Sequence, residues 1–75
     1  MDTSRRMGTV LWYDNLRGYG FVDSGHPCGP VFITETEVVD FGMCGLRRGA
    51  RIVFNIEEGR ASARVKTIKG IRGLQ

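Results

Sequence analysis

Over residues 50–57 the chain alternates without a break. Ile52, Phe54 and Ile56 fall on one side, and Arg51, Val53 and Asn55 on the other. A period of two belongs to a strand with one buried face. The same reading holds along most of the chain. Residues 7–14, rich in Val, Trp and Tyr, predict a first strand; residues 18–23 a second; residues 31–34 a short third; and residues 60–68 a fifth, with Ala61, Ala63 and Val65 alternating against Ser62, Arg64 and Lys66. Asn15-Leu16-Arg17-Gly18 reads as a tight turn and Glu58-Gly59 as a hairpin turn. Residues 24–30 carry two Gly and two Pro and read as a loop. Helical periodicity is nearly absent: residues 35–38 have room for one helical turn, and residues 39–49 form an irregular connection with three Gly.

Five short strands in 75 residues make one domain and one small core. Open sheets of that size expose edges that invite aggregation, and closure removes them. The expected fold is therefore all-β: a five-stranded antiparallel barrel with one short helical turn after the third strand. Val10, Val22, Val31, Ile33, Val38, Leu46, Ile52, Phe54, Ile56 and Val65 form its expected core. Residues 1–6 are expected to be a disordered lead-in, residues 7–68 the folded domain, and residues 69–75 a flexible basic tail.

Arg17-Gly18-Tyr19-Gly20-Phe21-Val22 carries the chemistry. If Val22 points to the core, Tyr19 and Phe21 point outward and the glycines inward, which inverts the usual burial preference. Outward rings form a platform for unstacked bases, at ~1–3 kcal/mol per base. In the third strand Val31 and Ile33 claim the inward positions, so Phe32 and Thr34 face out and Phe32 can join Phe21. Trp12 and Tyr13 are adjacent and cannot share a face of a regular strand; one faces out unless a bulge bends the strand. The competing reading, that these rings fill the barrel, meets the difficulty that Val22, Val31 and Ile33 already occupy it. Arg17 is either a solvated turn cation or a phosphate contact beside the rings.

The remaining composition narrows the function. The net charge is +3, and nine of the eleven cations are Arg, which favours a polyanionic partner. Cys28, Cys44 and the single His26 show no metal-type spacing. No nucleophile–base pair or phosphate loop is visible, so no catalytic residue, metal or cofactor is expected. No apolar run approaches the ~20 residues that span a bilayer, and the polar N-terminus is unlike a signal peptide. The expectation is a soluble cytoplasmic protein, monomeric, with strand exchange between copies as the alternative.

Gly8-Thr9-Val10-Leu11-Trp12-Tyr13-Asp14 followed by Arg17-Gly18-Tyr19-Gly20-Phe21-Val22 closely resembles the opening of the bacterial cold-shock proteins. The second block is similar to that family's first ribonucleoprotein motif, and Val31-Phe32-Ile33-Thr34 to its second. Leu46-Arg47-Arg48-Gly49, Val53-Phe54-Asn55-Ile56 and Glu58-Gly59 resemble the approach to, and course of, its fourth strand. The resemblance spans residues 7–68. It implies an OB-fold barrel that binds single-stranded RNA or DNA and acts as an RNA chaperone or a regulator of transcription or translation. It also implies base stacking on Trp12, Tyr19, Phe21 and Phe32, with Arg17 where the family has a binding Lys. Thr34 stands where the family normally has His, Glu35 where it has an aromatic or aliphatic residue, and Leu11 where a surface Lys is common. Met43 lies near a loop position that is often Phe, and the turn after Gly59 is shortened. These departures imply weaker binding, fewer bases engaged or a shifted preference.

An RNA recognition motif shares the hexapeptide, but carries it on a third strand after a helix; here it starts at residue 17 with no helical period before it. An OB-type module that binds protein is the other alternative, favoured by Thr34, Glu35 and the modest charge.

Overall fold

A computed structural model of the chain describes residues 5–27, 29–58 and 63–72. The expected Glu58-Gly59 turn, the first residues of the expected fifth strand, Cys28 and both chain ends lie wholly or partly outside these. In chain order the elements are β1 (Arg5–Asp14), β2 (Tyr19–Asp23), β3 (Val31–Thr34), α1 (Glu35–Phe41), β4 (Arg51–Glu58) and β5 (Ala63–Arg72). The strands close a barrel in the order β1-β2-β3-β5-β4. Four interfaces are antiparallel and the fifth, β3 with β5, is parallel. A ring of five strands cannot alternate direction at every interface, so one parallel pair is unavoidable. It falls where α1 and β4 intervene between the partners, since a parallel pair needs a long connection.

All ten expected core residues are buried, joined by Ala50, Ala63 and Ile68. Phe54 is the largest fully buried side chain, and a methyl group on Gly8 would come within 3.1 Å of its ring. Glycine at that point lets β1 lie against Val22, the Asp23 carbonyl and the Phe54 ring.

The strands run further than the sequence boundaries suggest. β1 takes in Arg5 and Arg6, which pair with Asn55 and Phe54 of β4. β5 continues through residues 69–72, so that Val53 faces Gly70, Ile52 faces Ile71 and Arg51 faces Arg72. Lys69 and Gly70 suggested a tail because neither favours a strand. Pairing with β4 and partial burial of Ile71 against the core outweigh that local preference.

α1 is also longer than one turn. Thr34 caps it, with the Glu37 side chain reaching back in a capping box, and Gly42 ends it at φ 100°. The Gly42 and Met43 N–H groups bond to the Val39 and Val38 carbonyls. Thr-x-x-Glu and a glycine eight residues after the Thr are legible start and stop signals. Glu37 is buried nonetheless. One of its oxygens accepts from the Thr34 N–H and hydroxyl, and the other from Arg64 at 3.2 Å. These bonds meet the cost of burying a carboxylate and tie α1 to both β3 and β5.

Two more polar contacts hold the loops. The Asn15 side chain grips Leu46 through both its backbone groups, at 3.3 and 3.2 Å, and so pins the connection before β4 to the β1–β2 turn. His26 is buried, and the Glu58 carboxylate accepts from its Nε2 at 2.9 Å, which joins the β2–β3 loop to the end of β4. That bond holds the Glu58 carboxyl below its ordinary value of 4.5. A carboxyl lowered by folding contributes stability above its unfolded pKa and loses it as pH falls through the folded one. Denaturation midpoints should therefore fall as the pH drops below about 5. Glu58→Gln should make that acid limb shallower, leaving the part that Asp14, also lowered by folding, contributes. An unchanged profile in the variant would remove the His26–Glu58 contact as its source.

Candidate nucleic-acid interface

The site is built from a bulge. β1 pairs with β2 from Val10 opposite Val22, then skips a residue so that Trp12 faces Phe21 and Tyr13 faces Gly20. The extra residue leaves Leu11 and Trp12 both exposed, and turns Tyr13 inward against the core. This settles which of the adjacent rings faces out. A side chain at position 20 would collide with the Trp12 carbonyl and the Tyr13 backbone. Gly20 thus allows the two strands to close at the bulge.

Register then sets the platform. Trp12, Phe21 and Phe32 lie in one row across three strands, with Tyr19 beside them. Ring centroids are 5.7 Å apart for Trp12–Phe21, 5.5 Å for Phe21–Phe32, 5.4 Å for Trp12–Tyr19 and 6.0 Å for Tyr19–Phe32. The contacts are edge-on or tilted, which is the geometry ring quadrupoles prefer. Trp12 is 41% exposed, and the other three are half-buried while Val22, Val31 and Ile33 beneath them are fully buried. The rings wedge one another upright and leave part of each π-face to solvent.

The charged surroundings are mixed. Asp14 accepts from the Leu16 and Arg17 N–H groups at 2.9 and 3.0 Å, which shapes the turn and holds its carboxyl below the usual 3.8, the Arg17 bond contributing most. The Arg17 side chain is 76% exposed, and its only contact with Asp14 is a loose one at 3.9 Å. It stands at the turn two residues before Tyr19, with its guanidinium in solvent. Glu35 sits on the opposite side of the same turn: its N–H donates to the Gly18 carbonyl, and its carboxylate lies where a side chain on Gly18 would be. Burial pushes the Tyr13 hydroxyl upward, and the charges of Glu35, Glu37 and Asp14 add to the effect.

The structure thus gathers Trp12, Tyr19, Phe21 and Phe32 into one surface and sets Arg17 at its rim. Thr34 lies opposite Tyr19 at the edge, with its hydroxyl proton committed to Glu37 at 2.6 Å. Asn15 and Glu37, which position the turn and the Thr34 edge, were missed by the sequence reading. Glu37 could have been found from the capping box, whereas no local signal marks the reach of Asn15 to Leu46.

No protein-family model matches the chain. It is nevertheless similar to a cold shock-like protein of Thermotoga maritima, 33% identical over 64 residues that cover 83% of this chain and 92% of that one. The chain belongs to the cold-shock protein family. A major cold shock protein of Bacillus cereus is 30% identical over 81% of this chain and 90% of its own length. The cold shock-like protein of Aquifex aeolicus is 29% identical over 83% and 89%. Within this cold-shock fold, Thr34 and Glu35 fall together at the junction of β3 and α1, beside the ring surface. Among the described residues, no helix is long and apolar enough to cross a membrane.

Proposed function

We propose that the protein binds single-stranded RNA or DNA by stacking bases on Trp12, Tyr19, Phe21 and Phe32, acting as a monomer in the cytoplasm. The observation that carries this is the continuous four-ring surface on the outer wall of the barrel. Rings held partly in solvent add little to a core they do not fill, while every base offers a π-face to them. Arg17 meets phosphate at the rim, and Thr34 bounds the far edge with its methyl group and backbone. A duplex keeps its faces stacked inside and cannot lie on the rings. Bases held on the rings are withdrawn from pairing, so binding loosens weak secondary structure. That is the action of an RNA chaperone, and it can regulate transcription or translation. A barrel whose five strands close on one another within one chain supports the monomer.

Single-stranded oligo-dT should quench Trp12 emission, and a matched duplex far less. If about three phosphates are neutralised beside the rings, the log–log salt slope on single strands should be roughly −2. Equal quenching by the duplex with a steep slope would instead identify a general polyanion binder. No quenching by any nucleic acid would favour a protein partner, to which the Glu35 carboxylate is better suited.

A further inference from the structure

We infer that a second, ring-free surface on the other side of β1 binds nucleic-acid backbone. Its residues are Arg47, Arg48, Arg51 and Arg72. All four are exposed. Arg51 and Arg72 are direct cross-strand partners at the open end of the β4–β5 pair. Like charges placed directly opposite destabilise a sheet, so this pair is a cost that an anion would relieve. Arg47 and Arg48 sit in the turn immediately before β4. That turn is fixed by the Ala50 N–H on the Arg47 carbonyl, and by reciprocal bonds between Val10 and residues 49 and 50 at 2.8 Å. Arg47 and Ile71 line one groove, which brings the end of β5 beside the turn. Among the described residues none of the four has an ion-pair partner; the bridges there join Arg17 to Asp14, His26 to Glu58 and Arg64 to Glu37. Four cations in one corner exceed the +3 excess of the whole chain, so the rest of the surface is close to balanced.

The corner lacks what the platform has. Its lining contains no ring, so it recognises charge and leaves bases unread. Arginine forks suit phosphate oxygens, and such contacts position a nucleic acid without specifying it. The corner is also within reach of the platform. Thr9 of β1 is the sheet neighbour of Arg51, and Trp12 lies three residues further along β1. One strand spacing and three residues of rise put the two backbones roughly 11 Å apart. A strand whose bases lie on the rings can therefore carry its backbone, or the start of a flanking stem, onto the arginines. Because no unstacked base is needed there, duplex backbone is accepted.

This inference rests on the nucleic-acid reading of the platform, and the test separates the two. Three probes are used with the full chain: an oligo-dT of about six nucleotides, the same oligo joined at either end to a stem of about ten base pairs, and the blunt stem alone. The variant replaces Arg47, Arg48, Arg51 and Arg72 by Gln. Its melting temperature should equal or exceed that of the parent, since like charges are removed. Binding of the short oligo, read by Trp12 quenching, should change less than about threefold, while affinity for the tailed stem should fall about tenfold. The salt slope on the tailed stem should become shallower by roughly 2 to 3, and weak binding of the blunt stem should be lost. Lys at all four positions should restore the slope. Undiminished binding of the tailed stem by the Gln variant overturns the inference. So does an equal loss on the short oligo, or failure of Lys to restore the slope. Absence of Trp12 quenching in the parent protein defeats the platform reading alone, because the blunt stem still tests the corner.

Discussion

Replacing Phe21 and Phe32 together by alanine is expected to weaken oligo-dT binding at least about thirtyfold, and to leave the folded barrel standing. Each ring contributes ~1–3 kcal/mol of stacking per base. Losing two forfeits at least ~2 kcal/mol, and each 1.4 kcal/mol is about tenfold in affinity. The stability effect is smaller because both rings lie outside the core, at 5.5 Å from one another, with the fully buried Val22, Val31 and Ile33 beneath them. Truncation there opens space to solvent and leaves no sealed cavity. The rings do support each other, so some loss of sheet stability, about 1 kcal/mol, is expected from the cross-strand pair. The measurement is a titration followed by anisotropy, alongside a melting curve. Wild-type affinity in the double variant would show that the rings are not the binding surface. Unfolding of the variant would show that they belong to the core.

Phe54→Ala should do the reverse. Phe54 is fully buried between its neighbours Arg6 on β1 and Ile68 on β5. It is the largest side chain in the interior, and Gly8 has no side chain with which to fill the space its ring would leave. Removing a buried ring costs ~3–5 kcal/mol. A domain this small has a net stability of about the same size, ~3–5 kcal/mol, so the variant should be largely unfolded at room temperature. Phe54→Leu, which keeps most of the volume, should remain folded with a lower midpoint. Urea denaturation followed by far-UV circular dichroism measures both. A cooperative transition for Phe54→Ala within about 1 kcal/mol of the parent would mean that the core is held elsewhere.

The two experiments probe the same division of residues into inner and outer faces. That division was legible in the sequence wherever strands alternate regularly. Ile52, Phe54 and Ile56 on β4, Val31 and Ile33 on β3, and Val22 on β2 follow directly from a period of two. Once those positions are inward, Phe21 and Phe32 can only be outward. The motif similarity added the OB-fold assignment and singled out Trp12 as the fourth ring of the expected set. It also marked Thr34 and Glu35 as departures, although the capping role of Thr34 came from its bond to Glu37.

Alternation and turn residues were enough to count the strands and to place the buried faces of β2, β3, β4 and β5, with Phe21 and Phe32 outward. These are local properties: alternation, turn residues and motif order reside in neighbouring positions. The bulge that turns Trp12 outward and Tyr13 inward exists only in the folded sheet, because a bulge is defined by the partner strand and not by its own. Only closure decided that β3 lies parallel to β5, since the direction of the last pair follows from having five strands in a ring. The stretch at residues 69–72 became strand because β4 offered it unpaired hydrogen-bonding groups, a gain that local propensity does not contain. The same pairing set Arg72 opposite Arg51. Twenty-one positions separate them in the chain, and their shared corner exists because β4 and β5 run antiparallel to one another.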